Sequence, residues 1–413
     1  MPALPRSPDR PAAEALAASA LLLSTVAVEL KLPVLHVGPQ NLVVPLAGLA
    51  LLALDPARAR AALVRRRFLL AVGLCLAAWT AVCALAGELP VPGLGYAVRV
   101  LVYGLGFAGL AALASTREGH ARLTRLLLGF LLLLAVGGLL ETAFPASALF
   151  RLLRNPLSFT ILPRVASFQS WPTAFGLAMA AATLLSAGLH ARGRLGSRAG
   201  LLLTTLFVTQ VAQSGTRNAW ATLVVGLGLA MVRGLLSPRR AIGVGAILLL
   251  ACVTLPVPSW QLGLRERAPV VAKLVPKGAL EVASLAPPRQ SLSQRSQLWR
   301  AAVAGIRAHP WMGLGPGVFS ARVAPHILER PGMNTHNLAL NLLVELGVPG
   351  LALVVAGLFL AWRLAPPGPT PAGILVAAFL VGQIFDCLLY DAISLALMLT
   401  GLALFTGPDA DPA

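Results

Sequence analysis

Twelve apolar stretches follow one another along the 413 residues of this chain, near 13–30, 34–54, 68–87, 94–114, 126–144, 171–189, 199–213, 219–236, 241–257, 347–362, 373–389 and 391–407. A helix rises about 1.5 Å per residue, so about 20 mostly apolar residues carry it across the hydrocarbon core of a bilayer. Lipid offers the backbone no hydrogen bonds, which leaves a helix as the natural way to cross. Composition agrees: hydrophobic residues make up 57% and charged residues only 12% of the chain, with a mean hydropathy of +0.80. That is too little charge to cover a water-soluble surface. The expected fold is therefore an all-α polytopic membrane protein with about 12 transmembrane helices. Three segments organise it: a bundle over 1–257 (about nine spans), a large, partly helical periplasmic loop over 258–335, and C-terminal transmembrane helices over 336–413.

The formal net charge is +18, and a basic chain invites a nucleic-acid reading. The arginines argue otherwise, because most lie in short runs between apolar stretches with no aromatic-rich basic face. If the N-terminus starts inside, the inner segments carry Arg6 and Arg10, then Arg58, Arg60, Arg65, Arg66 and Arg67. Further along they carry Arg117, Arg122 and Arg125, then Arg192, Arg194 and Arg198, then Arg233, Arg239 and Arg240, and lastly Arg363. The short outer loops offer little beyond Lys31 and Glu88. This alternation obeys the positive-inside rule and puts both termini in the cytoplasm. The first apolar stretch lacks a convincing small-residue cleavage site and reads as a retained helix. Cys75, Cys83, Cys252 and Cys387 show no CxxC or metal-ligand spacing and read as small core residues.

Three outer segments break the alternation. Residues 145–170 carry Arg151, Arg154 and Arg164; the tight turn before 219 carries Arg217; and 258–335 holds ten basic residues against Glu266, Glu281 and Glu329. Long outer loops escape the rule, but so much positive charge calls for an anionic partner. Within the loop, Pro256 to Pro288 looks irregular. From Ser291 the pattern becomes helical, with Leu298, Ala302 and Ile306 on one face and a stop at Pro310. Arg295 and Trp299, four apart, share a second face; Arg300 and Arg307 lie elsewhere.

Gly313, Gly315 and Gly317 follow. No strand precedes them and the spacing is not GxGxxG, so a dinucleotide loop is rejected. A tight turn allowing close backbone approach is expected, with amides that could still help to hold an anion. Next, Asn337, Asn341 and Glu345 recur every four residues as a polar stripe on a leucine-rich helix, which Gly347, Pro349 and Gly350 break or kink. His336 stands at the start of that helix beside Asn334 and Asn337. The residues alone leave it open whether this histidine is an interfacial side chain or a functional one.

The run "RSQLWRAAVAGIRAHPWMGLGPGVF" followed by "THNLALNLLVELGVPGLAL" resembles the signature region of the O-antigen ligase and O-antigen polymerase superfamily. "RVASFQSWPTAFGLAMA" (Arg164, Phe168, Pro172, Gly176) resembles its arginine-led entry into a span. "QSGTRNAWATLVVG" (Ser214, Arg217, Ala219) resembles its short serine–arginine turn. The likeness covers most of 160–362, and each match falls on the outer face of the topology above. It implies a glycosyltransferase of the bacterial inner membrane; no cofactor is expected, and because Asp386 and Asp391 form no compact metal-ligand cluster with nearby acids, metal independence is expected too. The implied partners are an undecaprenyl-diphosphate-linked glycan donor, a glycan or lipid A core acceptor, and membrane lipids, with no nucleic acid. On this resemblance His336 is the base or acceptor-positioning residue. Arg164, Arg217 and Arg295 bind diphosphate, Asn337 and Glu345 orient His336 or the acceptor, and Trp299 lines the substrate site. Arginine suits a departing diphosphate and histidine suits proton removal from a hydroxyl.

Ligase, O-antigen or exopolysaccharide polymerase, and protein glycosylation all remain open within the superfamily. A polysaccharide transporter or lipid flippase is the reading from another class. It calls for polar residues deep in several spans and for internal repeats. Only Arg99 is clearly charged in the middle of a span, either snorkelling or paired, and no repeat is evident. A peptidoglycan polymerase usually depends on an outer-loop aspartate that has no counterpart in the motifs above. Asp386 and Asp391 flank the last outer turn and read as interface markers.

Overall fold

The structure, a computed structural model, describes residues 10–24, 40–143, 172–254, 291–328, 333–368, 370–387 and 392–408. Among these every regular element is a helix. In chain order they are α1 (Arg10–Leu23), α2 (Gln40–Leu54), α3 (Pro56–Arg65), α4 (Arg67–Ala86), α5 (Pro90–Leu113), α6 (Arg117–Ala143), α7 (Pro172–Ala191) and α8 (Ser197–Ser214). They continue as α9 (Arg217–Val232), α10 (Pro238–Thr254), α11 (Ser291–Ala308), α12 (Ala324–Leu328), α13 (Leu338–Leu364), α14 (Pro371–Phe385) and α15 (Ala392–Phe405). A π-helical turn, Phe319–Val323, leads into α12.

A helix overlaps each of the twelve apolar stretches. Five are long and apolar enough on their own to cross a membrane: α4, α5, α6, Thr173–Ala191 within α7, and α13. A sixth would need α2 and α3 counted as one span, yet they are bent by 109°. Large apolar side chains face outward on these helices, among them Phe68, Leu74 and Leu85 of α4 and Val355 and Phe359 of α13. Such a surface suits lipid and is costly in water. The stretch 256–288, read above as irregular, and Arg164 and Asp391 lie outside the described residues.

The helices form two compact units, neither of them contiguous in sequence. One comprises Met1–Leu127, Gln290–Pro366 and Met398–Ala413; the other comprises Leu128–Arg289 and Pro367–Leu397.

In the first unit α2 and α5 meet through glycine. A Cβ on Gly48 would lie 2.6 Å from the Leu105 carbonyl oxygen, and one on Gly109 would lie 2.7 Å from the Gly48 oxygen. Without a side chain there, the backbones approach closely and gain the dispersion contacts that drive helix association in lipid. The arginine-rich segment after α2, expected as a loop, contains α3. Asp55 caps it, its Oδ1 accepting from the Arg58 N–H at 2.9 Å, and Pro56 takes the first helical position. Its Ala59 and Ala62 are buried against Ala112.

An ion network ties the same end together. Glu14 of α1, only 3% exposed, accepts from Arg10 at 3.3 Å, from Arg58 at 2.5 Å and from Arg122 of α6. Arg10 also pairs with Asp55, and Arg122 with Glu118 at 2.9 Å. Partial burial alone would raise the Asp55 carboxyl, but the Arg58 N–H and the Arg10 guanidinium outweigh it and hold Asp55 below the usual carboxylate range. Arg66, 1% exposed, donates to the Thr406 hydroxyl at 3.0 Å and to its carbonyl at 2.9 Å. Burial, and then the neighbouring Arg65 charge, push the Arg66 guanidinium down to about 10, so it stays protonated at neutral pH. Glu14→Gln removes the shared anion from three guanidiniums. It is expected to cost about 3 kcal/mol, the low end for breaking a buried pair because the arginines keep some water. A lowered thermal unfolding midpoint in detergent checks this, and an unchanged midpoint would contradict it.

In the second unit α7 is the central helix, buried along nearly its whole length. Small residues let its neighbours close in. A Cβ on Gly226 of α9 would lie 2.3 Å from a Leu184 methyl, and one on Gly382 of α14 would lie 2.6 Å from a Leu177 methyl. Between α7 and α8, the Ser186 and Thr204 hydroxyls hydrogen-bond at 3.1 Å.

Candidate active site

The signature segment of the first unit is built around a broken helix. Gly347 has φ 66 and ψ −171 inside α13, so the helix is interrupted there, and Pro349 has no N–H to offer the Glu345 carbonyl. The expected kink is present. The freed groups find partners outside the helix. The Val344 carbonyl accepts from the Leu314 N–H at 2.7 Å, the Glu345 carbonyl from the Gly315 N–H at 3.1 Å, and the Leu346 carbonyl from the Trp79 indole at 2.8 Å. The Val348 N–H donates to the Pro310 carbonyl at 2.9 Å. This exchange satisfies groups whose burial unpaired would be costly.

The glycine turn is shaped for this docking. Gly313, Gly315 and Gly317 have φ of 66, 102 and 77, and a Cβ on Gly313 would lie 2.5 Å from the Glu345 carbonyl carbon. The reading of a tight turn with close backbone approach holds. The accompanying idea that its amides hold an anion does not extend to residues 313–315. The Gly313 N–H is bonded to the His309 carbonyl at 2.9 Å, and the next two are bonded to α13 as above.

Just before α13 lies the turn Asn334–Asn337. His336 has φ 51, the sole positive φ at a non-glycine residue among the described residues. For an L-residue that region costs about 1–2 kcal/mol, so neighbours must enforce it. Asn334 Oδ1 accepts the His336 N–H at 2.8 Å. Thr335, fully buried, donates its hydroxyl to the Asn337 carbonyl at 2.7 Å, and its own N–H reaches Asn341 Oδ1 at 3.3 Å. Asn337 caps α13, its Oδ1 accepting from the Leu340 N–H at 3.0 Å. The polar stripe thus faces inward: Asn341 is 1% and Glu345 2% exposed.

The α11 helix braces this turn from the side. Leu298 and Ala302 are fully buried with Phe319, Ala324 and Val344, as their helical spacing predicts. The Trp299 indole N–H donates to the Thr335 carbonyl at 2.8 Å, next to His336. Arg295, one turn earlier, is half-buried on the same helix face, whereas Arg300, Arg307 and Arg322 are exposed. The structure therefore brings Trp299, Thr335, His336, Asn337 and Asn341 together within one unit.

Arg217 belongs to the other unit, at the first position of α9, with its side chain exposed. The turn before it is tightly specified. Gly215 ends α8 in the left-handed conformation at φ 61, and the Ser214 hydroxyl bonds the Val211 carbonyl at 2.8 Å and the Thr216 hydroxyl at 3.0 Å. A Cβ on Gly176 of α7 would lie 2.4 Å from Thr216 Oγ1 and 2.5 Å from Ser214 Oγ. Two motifs read separately in the sequence, one containing Gly176 and the other Ser214 and Ala219, are therefore packed on each other.

Other singled-out residues resolve locally. Arg99 lies with its guanidinium carbon 5.5 Å from the Tyr96 ring centre, a cation–π pairing. Asp386 is buried and accepts the Cys387 N–H at 2.9 Å. Among the described residues no three His, Cys, Asp or Glu side chains gather as a metal-ligand set. Thr335 and Trp79 did not stand out in the sequence. The Asn-Thr-His-Asn run was a visible cue for a side-chain-locked turn, but nothing local pointed to Trp79.

Long apolar helices with apolar exteriors define a multi-pass α-helical membrane protein. Within it, residues 199–355 match the family model described as O-antigen ligase, somewhat over a third of the chain. That match bears out the resemblance to the O-antigen ligase and polymerase superfamily and supports a membrane glycosyltransferase of that type. Arg217, Arg295, Trp299, His336, Asn337 and Glu345 all lie inside the matched span; Arg164 lies outside it. No curated protein matches the chain.

Proposed function

We propose that this protein transfers glycan from an undecaprenyl-diphosphate-linked donor to an acceptor hydroxyl on the periplasmic face, in the manner of an O-antigen ligase. The carrying observation is the turn that holds His336 at a positive φ, locked by Asn334, Thr335 and Asn341 and braced by Trp299. Backbone strain maintained by so many partners fits a positioned functional side chain. In the reaction the acceptor hydroxyl loses its proton to His336 and its oxygen bonds the anomeric carbon. The bond from that carbon to the diphosphate breaks, and the diphosphate leaves on its lipid. Arg295 and Arg217 are assigned to the charge that develops on the diphosphate, and Arg164 to donor binding. Asn337 and Glu345 are assigned to orienting His336 or the acceptor, and Trp299 to the substrate site. Nothing in these roles calls for a metal or cofactor.

The accompanying topology has about twelve spans, both termini in the cytoplasm and the 258–335 segment outside. Support comes from the alternation of arginines and from the helix that overlaps each apolar stretch.

Replacing Arg217 with alanine should weaken donor engagement by roughly 10- to 100-fold in KM, the range for losing a charged hydrogen bond, with lysine restoring only part of it. Unchanged donor binding and turnover would remove Arg217 from this role. A polymerase is the alternative within the same chemistry, since it needs the same donor site. The glycan made by a deletion strain separates the two. Lipid-linked polymer accumulating with no attached glycan indicates a ligase; a single attached repeat with no chain elongation indicates a polymerase.

A further inference from the structure

Where α3 meets α4, the first unit presents positive charge that none of its described acids answers. Glu14 and Asp55 are engaged by Arg10, Arg58 and Arg122, and Glu118 by Arg122. Arg60, Arg65, Arg67 and Arg363 are all exposed and form no ion pair among the described residues. Arg65, Arg67 and Arg363 lie where the ends of α3 and α13 meet, and Arg60 lies on α3 itself. Arg65 Nη2 donates to the Leu364 carbonyl at 3.5 Å, joining the end of α3 to the end of α13, where Trp362 is 58% exposed beside Arg363. The Arg67 guanidinium lies over the Phe68 ring at 4.9 Å, and Phe68 is 63% exposed. The α3 helix is 10 residues long, too short to cross a bilayer, and is bent 109° from α2 with its alanine face buried.

We propose that this corner binds the headgroup of an anionic glycerophospholipid. A short basic helix set across the end of a span, with an exposed tryptophan and phenylalanine beside its arginines, has the makeup of a headgroup-level site. Guanidiniums pair with phosphodiester oxygens, while the aromatic rings lie against the upper acyl chains. The proposal rests on the membrane placement alone and not on the transfer reaction, so its test uses no activity measurement.

The test is native mass spectrometry of the detergent-purified full chain, titrated with dioleoyl phosphatidylglycerol or dioleoyl phosphatidylcholine. The wild type is expected to bind phosphatidylglycerol more tightly. The R60Q/R65Q/R67Q/R363Q variant is expected to lose that preference, by roughly fivefold for each arginine removed. The corresponding lysine variant should keep it, and so should R192Q/R194Q/R198Q near the start of α8. If the fourfold glutamine variant fails to fold, single R60Q and R67Q variants are read instead, each with its own roughly fivefold loss. A folded glutamine variant with the wild-type preference overturns the proposal. One-for-one displacement of phosphatidylglycerol by undecaprenyl diphosphate also overturns it, because the corner would then be a donor site.

Discussion

His336→Ala is expected to abolish glycan transfer, lowering turnover by about 10²–10⁴-fold, the usual worth of a positioned general base. Donor-lipid binding and the unfolding midpoint should stay near wild type. The reason lies in the turn. What holds the backbone at residue 336 is the Asn334 side chain, the buried Thr335 and Asn341, and the α11 indole, none of which needs the imidazole. Those bonds remain when the ring is removed. His336→Asn is a sharper variant, because asparagine tolerates positive φ and so keeps the backbone in place; it should be as inactive as alanine. Full activity in either variant would remove His336 as the base.

Gly347→Ala should have the largest structural effect. At φ 66 and ψ −171 the residue occupies a region open essentially to glycine alone, at a cost of about 1–3 kcal/mol for any other residue. A Cβ there would also lie 2.1 Å from the Trp311 carbonyl oxygen and 2.4 Å from its carbon. Those are backbone atoms and cannot rotate away. Relief requires the 311–317 turn to lift off α13, which breaks the hydrogen bonds from Leu314 and Gly315 and leaves the carbonyls at the kink unpaired. We expect a sharp drop in folded yield and in the unfolding midpoint, with activity lost alongside. Gly73→Ala in α4 is the control, because nothing lies within 4 Å of its Cβ position; it should be neutral. A Gly347→Ala protein with wild-type stability would mean that the docked turn does not hold the site.

These two residues show what the sequence discloses and what it withholds. The break at Gly347 was legible, because Pro349 lacks an N–H wherever it stands. The partners that take the freed groups were not. Trp79 is 267 positions away from Leu346, and such pairings are set by packing, not by local pattern. The buried face of α11 followed from the spacing of Leu298 and Ala302. The positive φ of His336 did not, since no glycine marks it and side chains on both flanks create it. The α3 helix carried its own signal in Asp55-Pro56, but the arginine run that makes the segment read as a loop masked it. Glu14 drew no notice at the edge of an apolar stretch. Its importance comes from arginines 44 and 108 positions away. Arg164, assigned by resemblance alone, lies outside the described residues and stays a proposal.

The central claim is that this chain moves glycan off a lipid diphosphate. It is tested most directly by incubating the purified protein, reconstituted in vesicles, with undecaprenyl-diphosphate-linked glycan and an acceptor glycan or lipid A core. The account predicts an acceptor product and free undecaprenyl diphosphate in equal amounts, both absent with His336→Ala. Intact donor appearing in the opposite leaflet with no new glycosidic bond would contradict it and indicate a transporter.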